Sequence, residues 1–195
     1  MNRLAVIIFL SLAVITGCTS EPPAPEKKAE PPELLAGRSA FQQLYIAAHG
    51  WAADARPYQL QSSVVGDNKG KEGKAVLWRA AFASEMQRSS KPYVWSGVDS
   101  PDAPARGVSP GPQDSFVPGN AFDINFLKVD SDKAYEVAQK HGGDKIGDVP
   151  ITYMLDWNRG ENNLVWHVIY GPSRNDAKLV ADVDATTGEF IRKEK

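Results

Sequence analysis

Residues 130–143, DSDKAYEVAQKHGG, spell a helix together with its start and its stop. Asp130-Ser131 offers an N-cap, and Asp132 places negative charge in the first turn, where the helix dipole favours it. Ala134, Val137, Ala138 and His141 recur at the spacing of one helix face, and Gly142-Gly143 end the run. Beyond Pro150 the period shortens to two: Ile151, Tyr153, Leu155 and Trp157 alternate. The turn residues Asn158 to Asn162 follow, and then Leu164, Trp166, Val168 and Tyr170 alternate in a second strand. Gly171-Pro172 introduce a third strand with Leu179, Ala181 and Val183 on one face. Thr187-Gly188 then turn the chain into a short last strand, Phe190-Ile191-Arg192. A helix followed by antiparallel strands belongs to the α+β class.

The same order can be read upstream. At an offset of 93 residues the helix face falls on Phe41, Leu44, Tyr45 and Ala48, and the first strand on Tyr58, Leu60, Ser62 and Val64. At an offset of 88 the second strand falls on Val76, Trp78, Ala80 and Phe82, and the third on Tyr93 and Trp95. A longer turn over residues 66–73 absorbs the difference and is expected as an exposed hairpin insertion. The expectation is two tandem modules, each a helix packed on a three-stranded antiparallel sheet, over residues 34–98 and 121–195, joined by a loop over 99–120. The pair is expected to pack together around tryptophans. Phe122, Ile124 and Phe126 alternate and are expected to add a strand.

The most specific motif is Val183-Asp184-Ala185-Thr186-Thr187-Gly188-Glu189-Phe190. With the helix Ala134-Tyr135-Glu136-Val137-Ala138 and the strand Leu164-Val165-Trp166-His167-Val168, it makes residues 131–192 resemble the PepSY domain. Asp184 suits a turn in which a carboxylate accepts backbone N–H bonds, and Gly188 suits the positive φ that closes it. Trp95-Ser96-Gly97-Val98 stands where the first module would carry that motif. The resemblance implies a PepSY-like, cystatin-like arrangement in a non-catalytic module that binds or restrains a peptidase.

The remainder of the chain speaks of location. Residues 1–18, MNRLAVIIFLSLAVITGC, combine Arg3, an apolar run from Leu4 to Ile15, and small residues before Cys18, the single cysteine. The run is shorter than the roughly 20 residues of a spanning helix and fits a secretory leader. Ile15-Thr16-Gly17-Cys18 resembles a bacterial lipobox, which implies removal of residues 1–17, lipidation of Cys18 and stable attachment to a membrane. Thr19 follows the cysteine, so an outer membrane facing the periplasm is expected if the host has two membranes. Residues 18–33 are a Pro/Glu-rich tether of polyproline-like composition.

Over its 195 residues the chain is 42% hydrophobic and 24% charged, with a net charge of -2. Such averages exclude wholesale disorder and a polytopic membrane protein, and speak against a nucleic-acid partner. No cofactor and no catalytic set is expected. His49, His141 and His167 form no metal-spaced pair and are expected at helix ends or on the surface. The pairs Asp130/Asp132 and Asp182/Asp184 supply too few oxygens for calcium. Trp51 and Trp95 are the candidate partner-binding residues. The leading expectation is an anchored envelope protein that recognises a peptide or protein. A structural subunit of an envelope complex is the alternative, and a hydrolase using Asp99, Asp102 and Asp114 a lesser one.

Overall fold

A computed structural model describes residues 30–115 and 119–194; Cys18 and the expected leader lie outside the described residues. The chain runs through β1 (Leu35–Ala36), α1 (Gly37–Trp51), β2 (Arg56–Ser62), β3 (Lys74–Ala75), β4 (Leu77–Ser84), β5 (Ser89–Ser96), β6 (Gly107–Pro110) and β7 (Asp114–Ser115). A 3-10 turn at Ile124–Phe126 leads to α2 (Ser131–Lys140), β8 (Ile151–Asn158), β9 (Asn163–Tyr170), β10 (Leu179–Asp184) and β11 (Phe190–Lys193). The fold is therefore mixed α and β, with a large antiparallel sheet. Among the described residues no helix is long and apolar enough to cross a membrane.

Nine of the eleven strands form one sheet in the order β11-β10-β9-β8-β2-β4-β5-β6, with β7 also on β5, and β1 and β3 pair separately. Two separate three-stranded sheets were expected. Instead β2 and β8 pair through Leu60↔Leu155, flanked by Gln59↔Asp156 and Gln61↔Met154. Joining them satisfies two rows of backbone groups that would otherwise be open edges. It also gives both helices one core: Phe41, Leu44 and Ala48 of α1 share it with Ala134 and Ala138 of α2.

The two halves are in matching register. Ser62 pairs with Trp78 and Trp78 with Trp95; Leu155 pairs with Trp166 and Trp166 with Val183. These positions stand at the offsets of 93 and 88 read from the sequence. Trp78 donates its indole N–H to Leu35 O at 2.9 Å, and Trp166 donates to Val129 O at 2.9 Å. Each bond satisfies a buried indole with the carbonyl of a residue just ahead of a helix. The two rings meet edge-on at 6.4 Å, so tryptophans do sit where the halves join.

Several local expectations need correction. The turn over 66–73 is largely exposed, as expected, but it buries Gly70 and Gly73 against the second half of the chain. Lys69 O accepts from Ile151 N, Gly70 O accepts from Tyr153 Oη, and Gly73 N donates back to that hydroxyl. Gly73 O accepts from Ser131 Oγ at 2.6 Å. Gly73 has φ 75°, and a Cβ there would stand 2.2 Å from Asp132 Cα, so the loop seats only a glycine under α2. Phe122, Ile124 and Phe126 do not add a strand. Asp123 Oδ1 accepts from Asn125 N and curls the segment into a 3-10 turn. The connector adds β6 and β7 to the outer side of β5. Last, the tether does not end at residue 33 as a free spacer, because Glu33 N donates to Gly97 O.

Candidate functional site

The N-termini of the two helices converge. Ala36, at the N-cap of α1, provides no side-chain cap. Asp130 fills that role from the other half of the chain: its Oδ1 accepts from Ser131 N at 2.6 Å and from Arg38 N at 2.8 Å. One carboxylate thus caps its own helix and α1 together. Ser131 Oγ accepts from Gly37 N at 2.7 Å and completes the joint. Asp130, weighed in the sequence for calcium, is committed to these bonds.

Beside this joint lies a cavity of about 490 Å³. Phe41, Tyr45, Ile124 and Leu127 give it apolar walls, and Arg38, Ser39, Gln42 and Asp130 a polar rim. Two large apolar residues on its bordering segments are open to solvent, Ile46 at 66% and Phe126 at 41%. Phe126 packs edge-on against half-buried Trp157 at 5.1 Å. The lining is polar and apolar in about equal parts, with exposed apolar side chains on the segments beside it.

The Val183–Phe190 motif supports one wall. Asp184 Oδ1 accepts from the N–H groups of Thr186 and Thr187 at 2.8 and 2.9 Å, and Asp184 Oδ2 from Asn163 Nδ2 at 3.0 Å. Partial burial opposes the charge, but the bonds from Thr187, Asn163 and Thr186 prevail and hold the carboxyl below its ordinary range. Gly188 takes φ 80° and returns its N–H to Asp184 O. The turn then grips the cavity wall: Ala185 O accepts from Lys128 N and Val129 N, and Thr186 Oγ1 donates to Phe126 O at 2.8 Å. Asp184, Thr187 and Gly188 shape the turn, and Thr186, absent from the candidate residues, makes the bond to the wall. Its side chain within the motif was the one available signal.

Of the two candidate tryptophans, Trp95 is 2% exposed in the core, so it presents no surface to a partner. Its place on β5, covered by β6 on one side and β4 on the other and on the face that packs against α1, decides this. Trp51 is half-buried at the end of α1, with Lys91 Nζ 5.9 Å from its ring centroid. Asp99 binds Arg106, Asp102 is exposed, and Asp114 Oδ1 accepts from Ser115 N. His141 caps α2 as expected and stacks on Phe190 at 3.9 Å.

His167 is the largest departure from expectation. It is buried at 5% exposure on the sheet face opposite Trp166. Its Nδ1 lies 2.6 Å from Asp182 Oδ1, and its Nε2 lies 3.2 Å from Asp156 Oδ1. Arg192 Nε stands 3.0 Å from Asp182 Oδ2, and Arg192 Nη1 reaches Glu161 at 2.9 Å. Burial works against a charged ring, but hydrogen bonds to Asp156 and Asp182 and their attraction outweigh it and raise the pKa to about 9. With a carboxylate on each ring nitrogen, the imidazolium donates twice and has no free nitrogen to take a proton from a substrate. The cluster is an electrostatic staple across β8, β9, β10 and β11. Period-two alternation placed His167 on the correct face but carried no sign of the carboxylates from flanking strands.

Among the described residues no group of three or more His, Cys, Asp or Glu side chains is arranged to hold a metal ion. Compared with protein-family models, with curated proteins and with solved structures, the chain finds no match.

Proposed function

We propose that this chain is a non-catalytic, lipid-anchored protein of the cell envelope that binds a peptide or protein partner in the cavity between α1 and the segment 122–130. The observation that carries the reading is that cavity's mixed apolar and polar lining, with solvent-exposed Ile46 and Phe126 on the segments that border it. The PepSY-like motif ties to it physically, because the Asp184–Gly188 turn holds the wall in place. By that resemblance the partner is a peptidase or its peptide segment. Lipidation at Cys18 keeps the protein at the membrane, outer and periplasm-facing in a two-membrane host. The matched registers at offsets of 93 and 88 support an origin by duplication of one helix-and-three-strand unit, its two copies fused edge to edge.

A photo-crosslinking side chain at Gln42, on the cavity rim, tests the reading in intact cells. A defined adduct is expected, absent when the same group replaces Arg79 on the other sheet face and lost with Ile46→Asp or Phe126→Ser. No adduct from Gln42, or equal adducts from Gln42 and Arg79, refutes it. Globomycin, which blocks lipoprotein leader removal, should leave a longer precursor, as should Cys18→Ala.

A further inference from the structure

We propose that Gly97, Asp99 and Arg106 form an interaction surface for an extended, proline-containing strand, and that its resident occupant is this chain's own Glu30-Pro31-Pro32-Glu33. Arg106 Nη2 donates to the carbonyls of Glu30 and Pro31 at 3.2 and 3.1 Å. Asp99 Oδ2 accepts from Arg106 Nε at 3.2 Å and aims the guanidinium, and the Glu30 carboxylate stands 3.8 Å from the same nitrogen. Glu33 N donates to Gly97 O at 2.9 Å, while Gly97 N donates to Val76 O at 2.7 Å. The strand is thereby stitched to the end of the sheet. A Cβ on Gly97 would stand 2.1 Å from Glu33 O and 2.7 Å from Trp95 Cη2, so only glycine lets the strand lie down.

The chemistry of the two partners matches. Proline has no N–H, so a diproline strand offers carbonyls alone, and a guanidinium supplies donors alone. Proline also holds the strand extended before it docks, which lowers the entropy lost on binding. The Arg106 side chain is 22% exposed; its Nη2 serves both carbonyls while its Nε is held by Asp99, a division of donors that a single ammonium nitrogen cannot make. The strand continues through Leu35–Ala36 into α1, where Arg38 lines the cavity. The clasp therefore fixes where the tether leaves the fold relative to the recognition cavity. The membrane consequence rests on the anchored reading above; the clasp itself does not.

Hydrogen exchange on the full chain in detergent micelles, without a partner, tests the clasp apart from the cavity. In Arg106→Ala the Glu33 amide should exchange about tenfold faster or more, the equivalent of two lost hydrogen bonds. Amides of β4 and β5 should keep their protection. Arg106→Lys should fall between, and cleavage after Glu33 by a glutamate-specific protease should accelerate in step. Unchanged Glu33 exchange in Arg106→Ala overturns the proposal. Equal loss of protection across the whole sheet in both variants also overturns it, since Arg106 would then only support the fold.

Discussion

Raising the pH from 6 to 9.5 should weaken this fold through one side chain, His167. The ring faces Asp156 from β8, Asp182 from β10 and, beyond Asp182, Arg192 from β11, whose other contacts are Glu161 and Glu194. In the folded state its pKa is raised from 6.5 to about 9. Between those values the native protein holds a proton that the unfolded chain has released, so stability falls as pH rises. The contribution is complete below pH 6.5 and is lost as the pH passes through about 9. Its size is on the order of 3 kcal/mol, from about 1.4 kcal/mol for each tenfold change in the proton equilibrium. The His167 side chain is only 6% exposed, so solvent screening removes little of this. Urea unfolding at pH 6, 7, 8 and 9 should show a falling midpoint at constant slope in the parent chain. In His167→Gln the base stability should be lower at pH 6, because Asp182 stays buried with one partner fewer, and the decline toward pH 9 should flatten. A parent profile that is flat from pH 7 to 9, or one that declines equally in His167→Gln, would refute the staple.

Asp130→Ala removes the cap of two helices and should cost about 2 kcal/mol by urea unfolding, whereas Asp130→Asn should retain most of it; a loss limited to that of one cap would break the shared-cap reading. Gly37→Ala places a Cβ 2.6 Å from Trp166 Cη2 and should destabilise by about 1–3 kcal/mol; an unchanged melting temperature would show the joint to be loose. Trp95→Ala should cost about 3–5 kcal/mol as a core deletion, while Trp51→Ala should leave the fold far less affected; similar small losses would put Trp95 back on the surface. Thr186→Val deletes the bond to Phe126 O and should cost about 1 kcal/mol. It should also change the fluorescence of Trp157, which Phe126 packs against.

Much of the fold was legible because its signals are local. The helix over 131–140 announces its own cap, face and stop, and the alternation through Tyr153, Leu155, Trp166 and Val168 gives strand, face and register. Offsets read from spacing alone coincide with the cross-strand pairs around Trp78 and Trp166. The turn at Asp184–Gly188 was legible for the same reason, since its bonds close within five residues. The exposure of the stretch 66–73 was legible, but the docking of its glycines was not, because free turns and turns packed under a helix share their residue types. Only the contacts of Gly70 and Gly73 with the second half separate them.

The sequence by itself determined the two helices, the main strands β2, β4, β5 and β8 to β11, and their inward faces. Tertiary structure alone decided that β2 and β8 close the halves into one sheet, because a strand edge carries backbone groups that any strand could satisfy. It alone buried Trp95, brought two carboxylates and an arginine to His167, and lent Asp130 to a helix more than ninety residues away in the chain. It also strapped Glu30 and Pro31 to Arg106. Each of these is a meeting of groups far apart in sequence, and periodicity reports which way a side chain faces, not what arrives to meet it.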